Sequence, residues 1–96
     1  MVKLKYCVYI LFSLKDLKLY IGYTTNLTRR LSEHFKGFSK STAPRRPFKL
    51  IFCEYYFSQK DALRREKYFK TTSGKKAIKL MLKESLKEMS EFNLNS

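Results

Sequence analysis

From position 6 to position 13 the chain reads Tyr-Cys-Val-Tyr-Ile-Leu-Phe-Ser, an apolar run with no charge in it. Its β-branched and aromatic residues predict a strand buried on both faces. Leu14 to Lys18 carries three charged residues and predicts a turn, and Leu19 to Tyr23 predicts a second strand. So short a connection makes an antiparallel hairpin the economical arrangement. Gly22, inside the second strand, marks a place where another group comes close to the backbone.

Thr25 and Asn26 are good N-cap residues, and Leu27, Leu31 and Phe35 recur at steps of four, predicting an amphipathic helix that ends near Gly37. From Lys36 to Lys49 the chain carries five basic residues (Lys36, Lys40, Arg45, Arg46, Lys49), two prolines and no acid. It predicts a cationic loop rather than a core element. Leu50 to Phe57 predicts a third strand. Ser58 with Asp61 resembles a capping box, which places a second helix from there to about Lys70. Thr71 to Gly74 breaks it, and a third helix from Lys75 to about Met89 presents Ile78, Leu82, Leu86 and Met89 as its buried stripe. Residues 90–96 read as a frayed tail. The order ββαβαα describes one α+β domain over residues 1–89, a three-stranded antiparallel sheet flanked by helices.

With 96 residues, one domain is the expectation. The charge changes the picture more: 21 Lys+Arg against 8 Asp+Glu leave a formal net charge of +13, which points to a polyanionic partner. Two cysteines, Cys7 and Cys53, are too few for a disulfide scaffold and show no zinc spacing; both read as buried reduced thiols. The first apolar run is far below the ~20 residues of a membrane span. A cytoplasmic, intracellular protein that binds nucleic acid and no membrane is the resulting expectation.

Three groups could carry chemistry. Arg30 and His34 stand at i and i+4 on the first helix, either as a solvated basic face or as a pair that grips a phosphate. Glu66 falls on the apolar stripe of the second helix with Ala62 and Phe69, and Leu63 nearby. A carboxylate buried without a partner costs several kcal/mol, so Glu66 requires a cation: a Lys or Arg, or a hard metal such as Mg²⁺. Tyr9 and Tyr20 lie in the two hairpin strands, as packing residues or as phenols that accept a proton or orient a water.

Taken together, these residues resemble the GIY-YIG nuclease family. The second of the family's two strand motifs is intact as Tyr20-Ile21-Gly22, and the first stands as Cys7-Val8-Tyr9, with the tyrosine but without the glycine. Arg30-Leu31-Ser32-Glu33-His34 fits the helix motif, and Arg64-Arg65-Glu66-Lys67 fits the glutamate. Lys70-Thr71-Thr72-Ser73-Gly74-Lys75 is similar to a segment of the short stand-alone members, which are related to the nuclease domain of the excision-repair incision protein. Between Glu66 and Asn93 the chain has no asparagine, which many members carry there.

The resemblance implies an endonuclease hydrolysing DNA phosphodiester bonds with one divalent metal, Mg²⁺ or Mn²⁺, in a DNA-repair setting. Glu66 would hold the metal, Tyr9 would orient or deprotonate the attacking water, and Tyr20 would support that water or the phosphate. Arg30 would stabilise phosphoryl charge and His34 would assist proton transfer. DNA, more than RNA, would be held along its backbone by Lys36, Lys40, Arg45, Arg46, Lys49, Arg64, Arg65, Lys70, Lys75 and Lys76. The alternative is a nucleic-acid-binding module that keeps the fold without turnover.

Overall fold

The structure, a computed structural model, describes residues 3–95. Three strands, β1 (Tyr6–Ser13), β2 (Leu19–Thr24) and β3 (Phe48–Tyr56), form one antiparallel sheet in the order β2-β1-β3. The central place of β1 explains its unbroken apolar run, because from Cys7 to Ser13 every residue is buried. Helix α1 (Leu27–Lys36) follows the hairpin, a 3₁₀ turn (Ala43–Arg45) precedes β3, and α2 (Gln59–Phe69), α3 (Thr72–Met81) and α4 (Lys83–Asn95) complete the chain. Among the described residues no helix is long and apolar enough to cross a membrane.

Side chains alternate along β1 and sort the core into two halves. Val8 and Ile10 pack with Ile21, Ala62, Phe69, Ile78 and Leu82, so α2, α3 and the start of α4 cover one face. Cys7, Tyr9, Leu11 and Phe48 pack with Tyr20, Leu27 and Leu31, so α1 covers the other.

Helix α1 begins and ends as expected: Asn26 accepts the Arg29 N–H through its side chain, and Gly37 closes the helix at φ +80°. Its buried face differs from the expected stripe. Phe35 is 47% exposed, and the fully buried residue is His34. The capping box at Ser58 also fails, since Ser58 is the N-cap but its side chain makes no capping bond. Asp61 is drawn instead to Arg64, at 3.0 Å. Leu63, expected beside the buried stripe, is 41% exposed.

The expected third helix is two helices, and it starts three residues early. A Cβ on Gly74 would collide with the Tyr68 carbonyl, so this glycine serves the close approach of α3 to the end of α2 rather than a break. Thr71 caps α3 by accepting the Gly74 N–H. An unbroken helix from Thr72 to Asn95 would be about 36 Å long at 1.5 Å per residue, too long for strands of this length. The turn at Leu82 lets Ile78, Leu82 and Leu86 all reach the same sheet face. Beyond Met89 the chain remains helical to Asn95, where the tail was expected. Cys53 is exposed on the edge strand β3, against expectation, while Cys7 is buried. Burial, with Cys53 beside it, pushes the Cys7 thiol up to about 11.

Candidate active site

Odd-numbered side chains of β1 point toward α1, which is what brings Tyr9 under the helix that carries Arg30 and His34. In the register of the hairpin Tyr9 stands opposite Gly22. A Cβ on Gly22 would fall on the Tyr9 ring, so the group that comes close to this backbone is the phenol itself. Tyr20 lies next to it, with ring centroids 6.3 Å apart.

Tyr9 is fully buried, and its hydroxyl lies 2.8 Å from His34 Nε2. His34 Nδ1 lies 2.7 Å from the hydroxyl of Thr42, which is also fully buried. Tyr20 meets the imidazole edge-on at 5.0 Å, and Phe48 does so at 6.4 Å. Arg30 neighbours both phenols and donates to Glu33 at 3.0 Å. Thus Tyr9, Tyr20, Arg30 and His34 form one cluster, and of these Tyr20 and Arg30 are the members that border solvent.

The protonation states follow from burial and charge. Burial and the neighbouring Tyr20 push Tyr9 well above the ordinary tyrosine range, against the pull of Arg30, so its resting form is the neutral phenol. Burial and the Arg30 charge lower His34, which therefore rests as neutral imidazole. Burial works against the Arg30 charge, yet Glu33 and the two phenols hold its proton more firmly than usual.

Glu66 has no hydrogen bond or ion pair to this cluster among the described residues. It is half-buried on α2, the helix packed against the opposite sheet face, and its partner among the described residues is Lys70 at 3.2 Å. The cation that its position demanded is thus present as a lysine. No group of three His, Cys, Asp or Glu gathers among the described residues. A single carboxylate of this kind could serve only an ion that takes most of its shell from water and phosphate, not one in a closed protein cage.

Several of the basic residues already have protein partners. Arg45, expected on a loop facing DNA, instead forks onto Asp16 at 2.6 and 3.3 Å and donates to the Leu19 carbonyl. Arg65 binds Glu54 at 2.7 Å and stacks over Phe69 with 4.2 Å to the ring centre. Arg64 pairs with Asp61, and Arg46 donates to the Ala43 carbonyl. Lys36, Lys40, Lys49, Lys75 and Lys76 are exposed. Two residues that the sequence reading missed are Thr42 and Glu33. Nothing in the pattern marks a buried threonine inside a cationic stretch; Glu33 was visible as the i+3 partner of Arg30.

Comparison with known proteins places the chain in a family. Residues 5–79 match the family described as the GIY-YIG catalytic domain. The UPF0213 protein of Staphylococcus haemolyticus is 41% identical over 78 residues, covering 80% of this chain and 94% of the relative. That of Clostridium perfringens is 38% identical over 82 residues, covering 84% and 87%. The solution NMR structure of the UPF0213 protein from Bacillus halodurans is 37% identical, with a TM-score of 0.51 and coverage of 80% and 82%. The chain belongs to the GIY-YIG family, and its relatives there include these short UPF0213 proteins.

Proposed function

We propose that this protein is a small divalent-metal-dependent endonuclease that hydrolyses DNA phosphodiester bonds and follows backbone or structure rather than a long sequence. The observation that carries this reading is the Tyr9–His34 contact of 2.8 Å with Arg30 beside it. Displacement at phosphorus is accelerated chiefly by positioning and by fixed positive charge on the non-bridging oxygens, and this cluster offers both.

Arg30 and Tyr20 meet the substrate first. In the free protein Arg30 is held by Glu33, an exchangeable anion, and a phosphate takes the place of that carboxylate on the guanidinium. That exchange uncovers the Tyr9 hydroxyl, which orients the attacking water and, after passing its own proton to solvent, takes a proton from that water. His34 holds the Tyr9 oxygen in place. Glu66 would hold a Mg²⁺ or Mn²⁺ ion after releasing Lys70, and the ion supplies further positive charge at the phosphate when bound. The exposed lysines supply sequence-independent, salt-sensitive affinity.

Cleavage of labelled single-stranded, duplex and branched DNA with Mg²⁺ or Mn²⁺ tests the reading. Wild type should cut; Tyr9→Phe should lose on the order of 10²–10⁴ in rate, as expected for a proton-transfer group. Glu66→Gln should abolish cutting while leaving DNA affinity intact. A folded wild type that binds DNA and never cuts would make the protein a nucleic-acid-binding module instead.

A further inference from the structure

Thr42 lies between α1 and β3, fully buried, and its hydroxyl has one hydrogen-bond partner among the described residues, His34 Nδ1 at 2.7 Å. On the other side of the ring His34 Nε2 meets the Tyr9 hydroxyl at 2.8 Å. A neutral imidazole has one N–H and one lone pair, so the roles of its two nitrogens are complementary. Were Nδ1 protonated, Thr42 would accept that proton and leave its own O–H buried with no acceptor, at the full desolvation cost of a donor. With Thr42 donating to Nδ1, the buried threonine O–H and both ring nitrogens are satisfied. Nε2–H then donates to the Tyr9 oxygen, and the Tyr9 O–H is left to the side of Tyr20, whose ring centre lies 6.3 Å from its own and which borders solvent.

The threonine is itself held from the hairpin. Its N–H donates to the Ser39 carbonyl at 3.2 Å, and its carbonyl accepts the Arg45 N–H at 2.9 Å. The Arg45 side chain is forked onto Asp16 and the Leu19 carbonyl, and Ser13 donates its hydroxyl to the Arg45 carbonyl at 2.6 Å. The clamp is therefore anchored on the same two strands that carry Tyr9 and Tyr20.

We propose that Thr42 is a positioning residue of the active site: by donating to Nδ1 it fixes His34 as the Nε2–H tautomer, a donor to the Tyr9 oxygen and not an acceptor of its proton. The catalytic part of this inference rests on the reading of Tyr9 as the group that takes the water proton. His34 keeps its own proton throughout and steadies the Tyr9 oxygen together with Arg30 once Tyr9 has given its proton to solvent. The water then passes its proton to that oxygen as its electron pair goes to phosphorus.

The test is ¹⁵N NMR of the His34 ring in wild type, Thr42→Val and Thr42→Ser, paired with cleavage rates. Wild type and Thr42→Ser should show the Nε2–H form with a hydrogen-bonded Nδ1, and Thr42→Val should move the Nδ1 signal toward that of a bare, unbonded ring nitrogen while cutting about tenfold more slowly, the worth of one hydrogen bond. An Nδ1–H wild type, or an Nδ1 signal unmoved in folded Thr42→Val, overturns the proposal. If Thr42→Val does not fold, the wild-type tautomer and the Thr42→Ser match decide. The ring signals answer whether or not any DNA is cut, so a failure of the nuclease reading is seen separately as absent cleavage by a wild type with the expected tautomer.

Discussion

On one face of β1, Val8 and Ile10 meet Ile21, Ala62, Phe69 and Ile78, all apolar; on the other, Tyr9 stands between Cys7 and Leu11 with its hydroxyl on a buried histidine. Alternation along a single strand separates the two. The first face is held by area removed from water and tolerates any filling of similar shape. The second holds polar atoms out of water and depends on each finding its partner, and among the described residues no buried side-chain nitrogen or oxygen lacks one. Stability is therefore spread over the apolar face, while the proposed proton transfer is concentrated on the other.

Damage to the apolar face should cost the most stability and the least chemistry. Phe69 is fully buried against Phe52 and Arg65, and Phe69→Ala should lower unfolding free energy by about 3–5 kcal/mol in chemical denaturation. That is a large share of the ~5–15 kcal/mol of a small domain, yet the rate per folded molecule should stay near wild type. Gly22→Ala reverses the ratio. The new methyl would press on the Tyr9 ring, which has no room to yield; overpacking of this kind costs about 1–3 kcal/mol. Cleavage by the folded fraction should fall by far more than with Phe69→Ala, because the hydroxyl moves off His34. Equal activity losses in the two variants would erase the distinction between the faces.

Acid should separate the faces more gently. His34 is the chain's one histidine, and its folded form is held neutral, below the ordinary histidine value. Below about pH 6.5 the unfolded imidazole takes up a proton that the folded one resists, so the unfolded state binds more protons and stability falls as pH falls. The slope between pH 7 and pH 5 is at most about 1.4 kcal/mol per pH unit. His34→Gln should flatten it in denaturation curves at a series of pH values, whereas Phe69→Ala should shift the curve without changing its slope. Asp16, held well below the carboxylate range by Arg45, adds its own loss only at lower pH, as that carboxylate is protonated.

Much of this is legible in the order of residues alone. The three strands, the first helix with both its caps, and the residues Tyr9, Tyr20, Arg30 and His34 follow from local periodicity and motif spacing, which act within a few positions. What escaped depends on contacts between distant segments. Gly74 reads locally as a breaker and is in fact a packing contact with Tyr68. His34 reads either as part of a solvated basic face or as half of a phosphate grip with Arg30, and its burial is decided by Thr42, eight residues away, and Tyr9, twenty-five away. Arg45 and Lys75 look alike as cations in a sequence; only the fold brings Asp16 to one of them.

That last pair gives the finest division between holding and binding. Arg45→Gln removes a fork and a carbonyl contact that tie the Thr42 segment to the hairpin, so it should lower the melting temperature and disturb the His34 ring signals. Its guanidinium charge is already neutralised by Asp16, so the dependence of DNA affinity on salt should barely change. Lys75→Gln removes an exposed charge with no ion pair among the described residues. The slope of log affinity against log salt should drop by about one, with melting and ring signals unmoved. If Arg45→Gln instead reduces the salt slope as Lys75→Gln does, the Asp16 pair opens on DNA, and the clamp on Thr42 and the grip on the backbone are the same residue at different times.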